Sequence, residues 1–502
     1  MIMDVKSKKF LIVTLILVYI LALSVRLSII NIAPSGITQY YGMSTPIGEA
    51  ARNLAEGRGY VVDKEYLDNI FKLMLTRDTL LDIQDVPPPQ DEKFKPYYGL
   101  PPGPSVLMAI TYKVFNDYRY IYLRILEAII DSIGCIIMFL MGKELFNTKV
   151  GLIAAFLYAL WLPIAYIATW PLHDALVPFF TLVTLFFFIK AVMNNKIKYY
   201  VLAGLTCGIG CYFQPSSLLL PVFFGAGALI YGIHKANFWK QAISAAKVTA
   251  IMLGVMVLVI SPWMIRNSVE IGSVTGMRPG FWVGLWENSG EFGDNPDGAV
   301  LDDVAALELA RKELGYDVEY LSPEFDEVFR PKVIKMIQDH TAWYLSLIVR
   351  RIPYAVFSSP QLGLHMMPIF KTDVDVWSAY LTAKSKSIFW GMLNGSMGKM
   401  IAKYPWGFLY TCLRAFFIYI PPVVSIIVFF TMRKDWRKYV LLATIPLYFI
   451  AIHIVTMISS LKSILPSHVG YIMFCAVAIY GIYDWFIRRK YRNQPEANKV
   501  PV

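Results

Sequence analysis

The sequence predicts an all-α membrane protein, a polytopic helical bundle of about ten transmembrane helices with interfacial helices and long non-cytoplasmic loops. Three observations predict it. First, 56% of the 502 residues are hydrophobic and the mean hydropathy is +0.50. The apolar residues come in runs of about 20, the length that crosses a bilayer. Second, Lys and Arg gather in alternate short loops, at 143–149, 190–198, 235–247 and 433–438, and again at 488–492. The intervening loops around 169–174 and 214–217 hold neither. This is the positive-inside asymmetry, which puts both termini in the cytoplasm of a multi-pass plasma-membrane protein. It also accounts for the net charge of +11 with no nucleic acid as partner. Third, two long polar stretches, 31–97 and 266–404, fall on the same outer side. Channels and carriers keep their loops short on both faces, so this chain is expected to work on something large at one face.

The first span is expected at 10–30, after Lys6, Lys8 and Lys9. Its apolar core exceeds a signal h-region and no small-residue cleavage site follows, so it reads as an uncleaved signal anchor. Residues 105–115 are apolar but too short to cross. They read as an interfacial helix started by the Pro-Pro-Gly-Pro run at 101–104. Spans follow at 118–141, 150–168, 175–193, 199–212, 217–233 and 243–264. Within the second outer stretch, DDVAALELARKEL at 302–314 reads as a charged helix whose acidic start and basic later turn suit the helix dipole. WYLSLIVRRIPYAVF at 343–357 carries Arg350, Arg351 and Pro353 and reads as an amphipathic interfacial helix. If it crosses instead, 387–401 must cross back. The last three spans are 406–432, 439–458 and 469–487, and ten crossings agree with both termini inside. The expected division is a transmembrane module at 1–268 that includes a first outer loop at 31–117, then an outer loop region at 269–405. C-terminal helices at 406–487 and a cytoplasmic tail at 488–502 complete it. All five cysteines lie in apolar runs, where Cys207 and Cys211 read as packing residues, as do Gly204 and Gly208 at i,i+4.

Five short motifs recur in order along this frame. They are GEAARNLAEGRGY at 48–60, PPGPSVLMAITYKVF at 101–115, MGKELFNTKVGLIAAFLYAL at 141–160, TWPLHDALVPF at 169–179 and SPWMIRN at 261–267. LAGLTCGIGCYFQPSSLLL at 202–220 lies between the last two. No one motif is specific, but the ordered series resembles the GT-C integral-membrane glycosyltransferases. The nearest groups are the prokaryotic relatives of the protein O-mannosyltransferases and the aminoarabinose and galacturonic-acid transferases. The resemblance covers about 26–357. It implies a hexosyl- or pentosyltransferase that moves a sugar from a polyprenyl or dolichyl phosphate to an acceptor hydroxyl on the outer face, with inversion. A carboxylate takes the acceptor proton and cations hold the leaving lipid phosphate. The implied partners are membrane lipids, the polyprenyl-phosphate sugar and a glycan, lipid or protein acceptor. No cofactor is implied, and no set of metal ligands is visible.

The chain departs from the pattern at the acid expected before the first motif. Residues 39–46 read QYYGMSTP, and the nearest carboxylate is Glu49. Glu49 is then either the base or part of a solvated helix face. Asp174 matches the family acid near the third and fourth spans and is the second catalytic candidate, with a helix N-cap as the plain alternative. Arg26, Arg266, Lys462 and Lys95 are the candidate lipid-phosphate ligands. Arg26 and Arg266 could equally pair or meet lipid headgroups, and Lys462 stands where the family often has Arg. His173, Trp282 and Trp286 are the candidate sugar or acceptor contacts, the tryptophans with interface anchoring as the alternative. Two rival functions remain: a non-catalytic glycolipid-binding relative, favoured by the missing acid, and a lipid-linked-sugar transporter or flippase. A transporter should carry charges in mid-span, and Asp131 is one of few such charges here.

Overall fold

The computed structural model describes residues 5–32, 41–63, 65–66, 93–233, 237–357, 401–432, 435–456 and 464–492. Apolar length makes the first helix, α1 (Val5–Ile32), and its outward residues Phe10, Ile12, Ile16 and Leu17 stay exposed, as lipid-facing positions do. A layer of two helices and a ribbon follows. It consists of α2 (Tyr41–Ala55), a two-stranded antiparallel ribbon of β1 (Val61–Asp63) and β2 (Phe94–Pro96), and α3 (Gly103–Phe115). Val61 faces Pro96, Val62 faces Lys95 and Asp63 faces Phe94. The α3 helix buries Met108 and Tyr112 but exposes Val106, Ile110 and Val114, the two-faced pattern of an interfacial helix.

The bundle begins with α4 (Tyr120–Ser132) and α5 (Gly134–Leu145), which run on as one span. Next come α6 (Thr148–Ala159) and the short α7 (Leu162–Ile167), so the expected span at 150–168 is broken where Pro163 restarts the helix. Then α8 (Val177–Asn194), α9 (Ile197–Cys211), a 3-10 turn at Pro215–Ser217, α10 (Leu220–Gly232) and α11 (Phe238–Ile271) follow. A helical cap is built from α12 (Phe281–Ser289), α13 (Asp303–Leu314), α14 (Pro323–Asp339) and α15 (Thr341–Val356). The chain closes with α16 (Pro405–Thr431), α17 (Trp436–Thr456), a 3-10 turn at Leu465–Ser467 and α18 (His468–Arg492). Among the described residues eight helical segments are long and apolar enough to cross a membrane, and Thr148–Ala159 and Ile197–Cys211 are shorter apolar helices. The fold is an all-α, multi-pass membrane bundle.

Packing follows from small residues and buried aromatics. The main core joins α5, α6, α8, α9, α10, α11, α17 and α18 around Phe188, Phe224, Tyr448 and Phe449. Phe188 and Phe224 stack with their rings 4.2 Å apart. A separate apolar core holds the cap, around Trp286, Phe325 and Phe329. The α13 helix starts as its charges require, with Asp302 accepting the Val304 and Ala305 N–H groups and Arg311 and Lys312 in the last turn. The cap is tied to the bundle through Arg351 of α15. Its guanidinium meets Glu291 at 2.5 Å and donates to the Val455 carbonyl at 3.0 Å and the Asn288 carbonyl at 2.8 Å.

Candidate functional site

The loop between α7 and α8 carries the central residues. It is buried throughout, and Arg124 of α4 holds it by donating from Nε to the Thr169 carbonyl at 2.6 Å. Asp174 is 2% exposed in this loop. It is not the N-cap of α8, because Leu176 occupies that position with no side-chain cap. Its Oδ1 accepts from Gln214 Nε2 at 3.3 Å, and its Oδ2 lies 3.3 Å from His173 Nε2. The two short loops that lack Lys and Arg are therefore brought together, one supplying His173 and Asp174 and the other Gln214.

The SPWMIRN motif holds the surroundings of this centre in place. Trp263 Nε1 and Asn267 Nδ2 both donate to the Met277 carbonyl, at 3.0 and 3.1 Å. This fixes the next residue, Arg278, just ahead of the cap. Arg278 lies within electrostatic reach of Asp174, Tyr97, Tyr320 and Asp326. Burial pulls its guanidinium below the ordinary arginine range, and the nearby Asp174 carboxylate opposes that pull. Arg278 is half-buried, and among the described residues it makes no hydrogen bond or ion pair. Sequence reasoning passed over it. The signal was present, since an Arg opening an aromatic, glycine-rich segment is unusual, but its approach to Asp174 is a tertiary fact.

Arg266 of the same motif has a different place from the one expected. It donates to the Tyr97 carbonyl at 3.0 Å and the Tyr60 carbonyl at 3.1 Å, and it stacks on Trp263 and Tyr98 at 5.0 and 5.3 Å. It thus staples the β-ribbon to α11, with its donors largely taken by the chain itself. Arg26 departs further from its expected role as a phosphate ligand. It is 0% exposed, donates from Nε to Asp131 at 2.6 Å, and also donates to the Ala22 carbonyl at 3.0 Å. Tyr158 completes the group by donating to Asp131 at 2.7 Å, in a space that Gly134 leaves open. Arg26 and the mid-span Asp131 form an ion pair inside the bundle. Lys95 is exposed on β2, and Lys462 lies outside the described residues.

Glu49 is not on a solvated face. It is 2% exposed, and its Oε1 accepts the Asp63 N–H at 2.6 Å, which ties α2 to β1. Burial pushes its carboxyl up to about 8, nearby Asp63 adds to this, and the Asp63 N–H and Arg52 oppose it. Tyr97 lies within electrostatic reach of both Glu49 and Arg278. Trp286 is corrected from a sugar platform to a core residue, 6% exposed and packed against Phe329. Trp282 is half-buried beneath Arg330, whose guanidinium lies 5.8 Å from its ring. Its backbone N–H, like that of Val283, donates to Asp326, which caps α12 from α14. Among the described residues no group of three or more His, Cys, Asp or Glu could hold a metal ion.

The family described as dolichyl-phosphate-mannose-protein mannosyltransferase matches residues 100–265, a stretch that contains His173 and Asp174. No curated protein matches the chain. Two solved structures of the Archaeoglobus fulgidus oligosaccharyltransferase are similar to it. One, AglB in complex with an inhibitory peptide and a dolichol-phosphate, is 13% identical with a TM-score of 0.47, covering 99% of this chain and 53% of that one. The other is tethered with an acceptor peptide. It is 15% identical with a TM-score of 0.48, covering 98% of this chain and 52% of that one. The chain thus spans about half the length of these structures. The matched family and these enzymes are GT-C membrane glycosyltransferases, the group that the motif series resembles.

Proposed function

We propose that this protein is a GT-C glycosyltransferase that moves a sugar from a polyprenyl or dolichyl phosphate to an acceptor hydroxyl on the outer face of the membrane, inverting the anomeric centre. The observation that carries the reading is a buried carboxylate, Asp174, within electrostatic reach of Arg278, a cation with no partner of its own among the described residues. The reaction needs those two charges. As the acceptor oxygen attacks the anomeric carbon, Asp174 takes its proton. As the sugar–phosphate C–O bond breaks, the electron pair passes to the phosphate, and Arg278 stabilises the charge that develops there. His173 and Gln214 orient the Asp174 carboxylate. Glu49, mostly protonated at neutral pH and bound to the ribbon, shapes the site from the α2 side. Arg266 then holds the ribbon and positions the site around the phosphate, without binding it directly. Lys462 and Lys95 remain candidate outer contacts for the phosphate, and Trp282 for the sugar or acceptor.

The test is turnover by the purified chain in lipid, with a panel of polyprenyl-phosphate sugars and membrane-extract acceptors, read as free polyprenyl phosphate. Asp174→Asn should lower release by about 10²-fold or more, the usual share of a general base. Arg278→Gln should weaken binding of polyprenyl phosphate itself. Measurable donor binding with no release from any donor would sink this reading in favour of the non-catalytic one.

A further inference from the structure

Gln214 reaches Asp174 from the short loop between α9 and α10, so whatever fixes that loop fixes the carboxylate's donor. Gln214 stands at the N-cap of the 3-10 turn Pro215–Ser217 in extended backbone, with φ −148° and ψ 119°, and its side chain does not cap the turn. The amide is left to cross to Asp174 Oδ1. At 3.3 Å it does so at the long end of the hydrogen-bond range, so a small displacement forfeits the bond. Pro215 follows directly, and its fixed φ joins Gln214 to the turn. The Leu218 N–H closes the turn on the Pro215 carbonyl at 3.0 Å. Gln214 and the turn therefore move together.

Tyr448 of α17 meets this turn from 232 positions further along the chain, and it is buried. Its hydroxyl accepts the Leu219 N–H at 3.3 Å and donates to the Ser216 carbonyl. One hydroxyl thus closes the junction between the turn and α10, using both its donor and its acceptor. The ring is set by edge-on contacts with Phe223 and Phe449, each with centroids 5.1 Å apart. The hydroxyl is not needed for that packing, since a phenylalanine would present the same ring. On the other side of the loop, the Gly103 N–H of α3 donates to the Tyr212 carbonyl at 2.9 Å, and a side chain at Gly103 would lie 2.7 Å from that oxygen. The loop is therefore clamped by α3 at Tyr212 and by α17 at Ser216, with Gln214 between the two clamps. We propose that Tyr448 is a positioning residue, whose hydroxyl holds the 3-10 turn so that Gln214 donates to Asp174 and orients its carboxylate. It acts through Gln214 rather than on Asp174 itself. This role rests on the transferase reading given above.

The test uses the full chain in nanodiscs, with glutamine labelled with nitrogen-15 at the side-chain amide. The Gln214 resonance is the one lost in Gln214→Leu. Asp174→Asn should move it, because the carboxylate acceptor is gone. Tyr448→Phe keeps the ring and removes only the hydroxyl, and it should move the resonance in the same direction. Phe223→Leu loosens the same ring but keeps both hydroxyl bonds, so it should lower the thermal midpoint and leave the resonance in place. In turnover, Tyr448→Phe should lower kcat about tenfold with the donor KM unchanged, the scale of one hydrogen bond to a charged group. Adding it to Gln214→Leu should lower kcat no further, since both substitutions remove the same donor. A Gln214 resonance unmoved by Tyr448→Phe would overturn the role, as would a kcat loss that adds in full to that of Gln214→Leu. A shift in Phe223→Leu would overturn it even where Tyr448→Phe does not fold, because packing would then set Gln214. Free polyprenyl phosphate is measured in parallel. A shifted resonance with no donor cleavage by the wild type removes the transferase reading and leaves Tyr448 holding Gln214. Donor cleavage with an unmoved resonance does the reverse.

Discussion

Arg26 shows what a single residue's neighbours decide. Alone near the end of an apolar run, it reads as a phosphate ligand or a topology marker. Beside Asp131, with both side chains fully buried, it is one half of an internal ion pair. Breaking such a pair leaves the other charge uncompensated, at a cost of about 3–5 kcal/mol. Arg26→Met should therefore lower the thermal midpoint sharply, and adding Asp131→Asn should recover much of it. An unchanged midpoint in the single variant would contradict the pairing. Glu49 makes a pH-dependent prediction. Its folded value of about 8 lies above the ordinary 4.5, so folding favours the neutral acid. The stability it contributes is complete below about 4.5 and is lost as pH rises towards 8. Thermal midpoints measured over that window should fall for the wild type and vary less for Glu49→Gln. Turnover that follows a Glu49-dependent midpoint near pH 8 would move the base from Asp174 to Glu49.

At the scale of elements, the small residues expected to pack helices are found doing so. A side chain at Gly208 would lie 2.7 Å from Val259 Cβ, and one at Gly204 would lie 2.7 Å from the Met252 carbonyl, so α9 and α11 approach closely at both. Gly208→Val should destabilise the bundle by about 1–3 kcal/mol through overpacking. A thermal midpoint equal to the wild type would show that the helices can separate freely there. The spans were legible because apolar length is a property of local sequence: the expected 10–30 and 243–264 lie within single helices, and the expected 406–432 overruns the helix Pro405–Thr431 by one residue. The break between α6 and α7 was less visible, because its cue, Pro163, sits inside an unbroken apolar run. Arg350 and Arg351 gave α15 its interfacial reading, but their distinct partners, Asp294 and Glu291, come from elsewhere in the cap.

Across the whole molecule, one motif joins three parts. Trp263 and Asn267 hold the Met277 carbonyl, while Arg266 holds the Tyr60 and Tyr97 carbonyls. The α11 helix thereby fixes the β-ribbon and the loop carrying Arg278 in one frame. A lysine cannot span two carbonyls and stack on aromatics as arginine does. Arg266→Lys should speed amide exchange at residues 60–63 and 94–97 while leaving α8 and α9 unchanged. Exchange that stays at wild-type rates in the ribbon would remove this stapling role.

The sequence by itself determined the class of fold, the spans, the two-faced helices and the motif series, because hydropathy, charge bias and helix signals act over short distances along the chain. It also marked Asp174 and Glu49 as the two candidate catalytic carboxylates, Glu49 with a solvated helix face as its alternative. Only the tertiary structure decided which charges meet. It buried Arg26 against a residue 105 positions away, committed Arg266 to backbone carbonyls, and moved Trp286 into the cap's core. Among the described residues it also left Arg278 without a hydrogen bond or ion pair near Asp174. The physical reason is that a charge's role depends on its partners and its solvent, and both are set by segments distant in sequence.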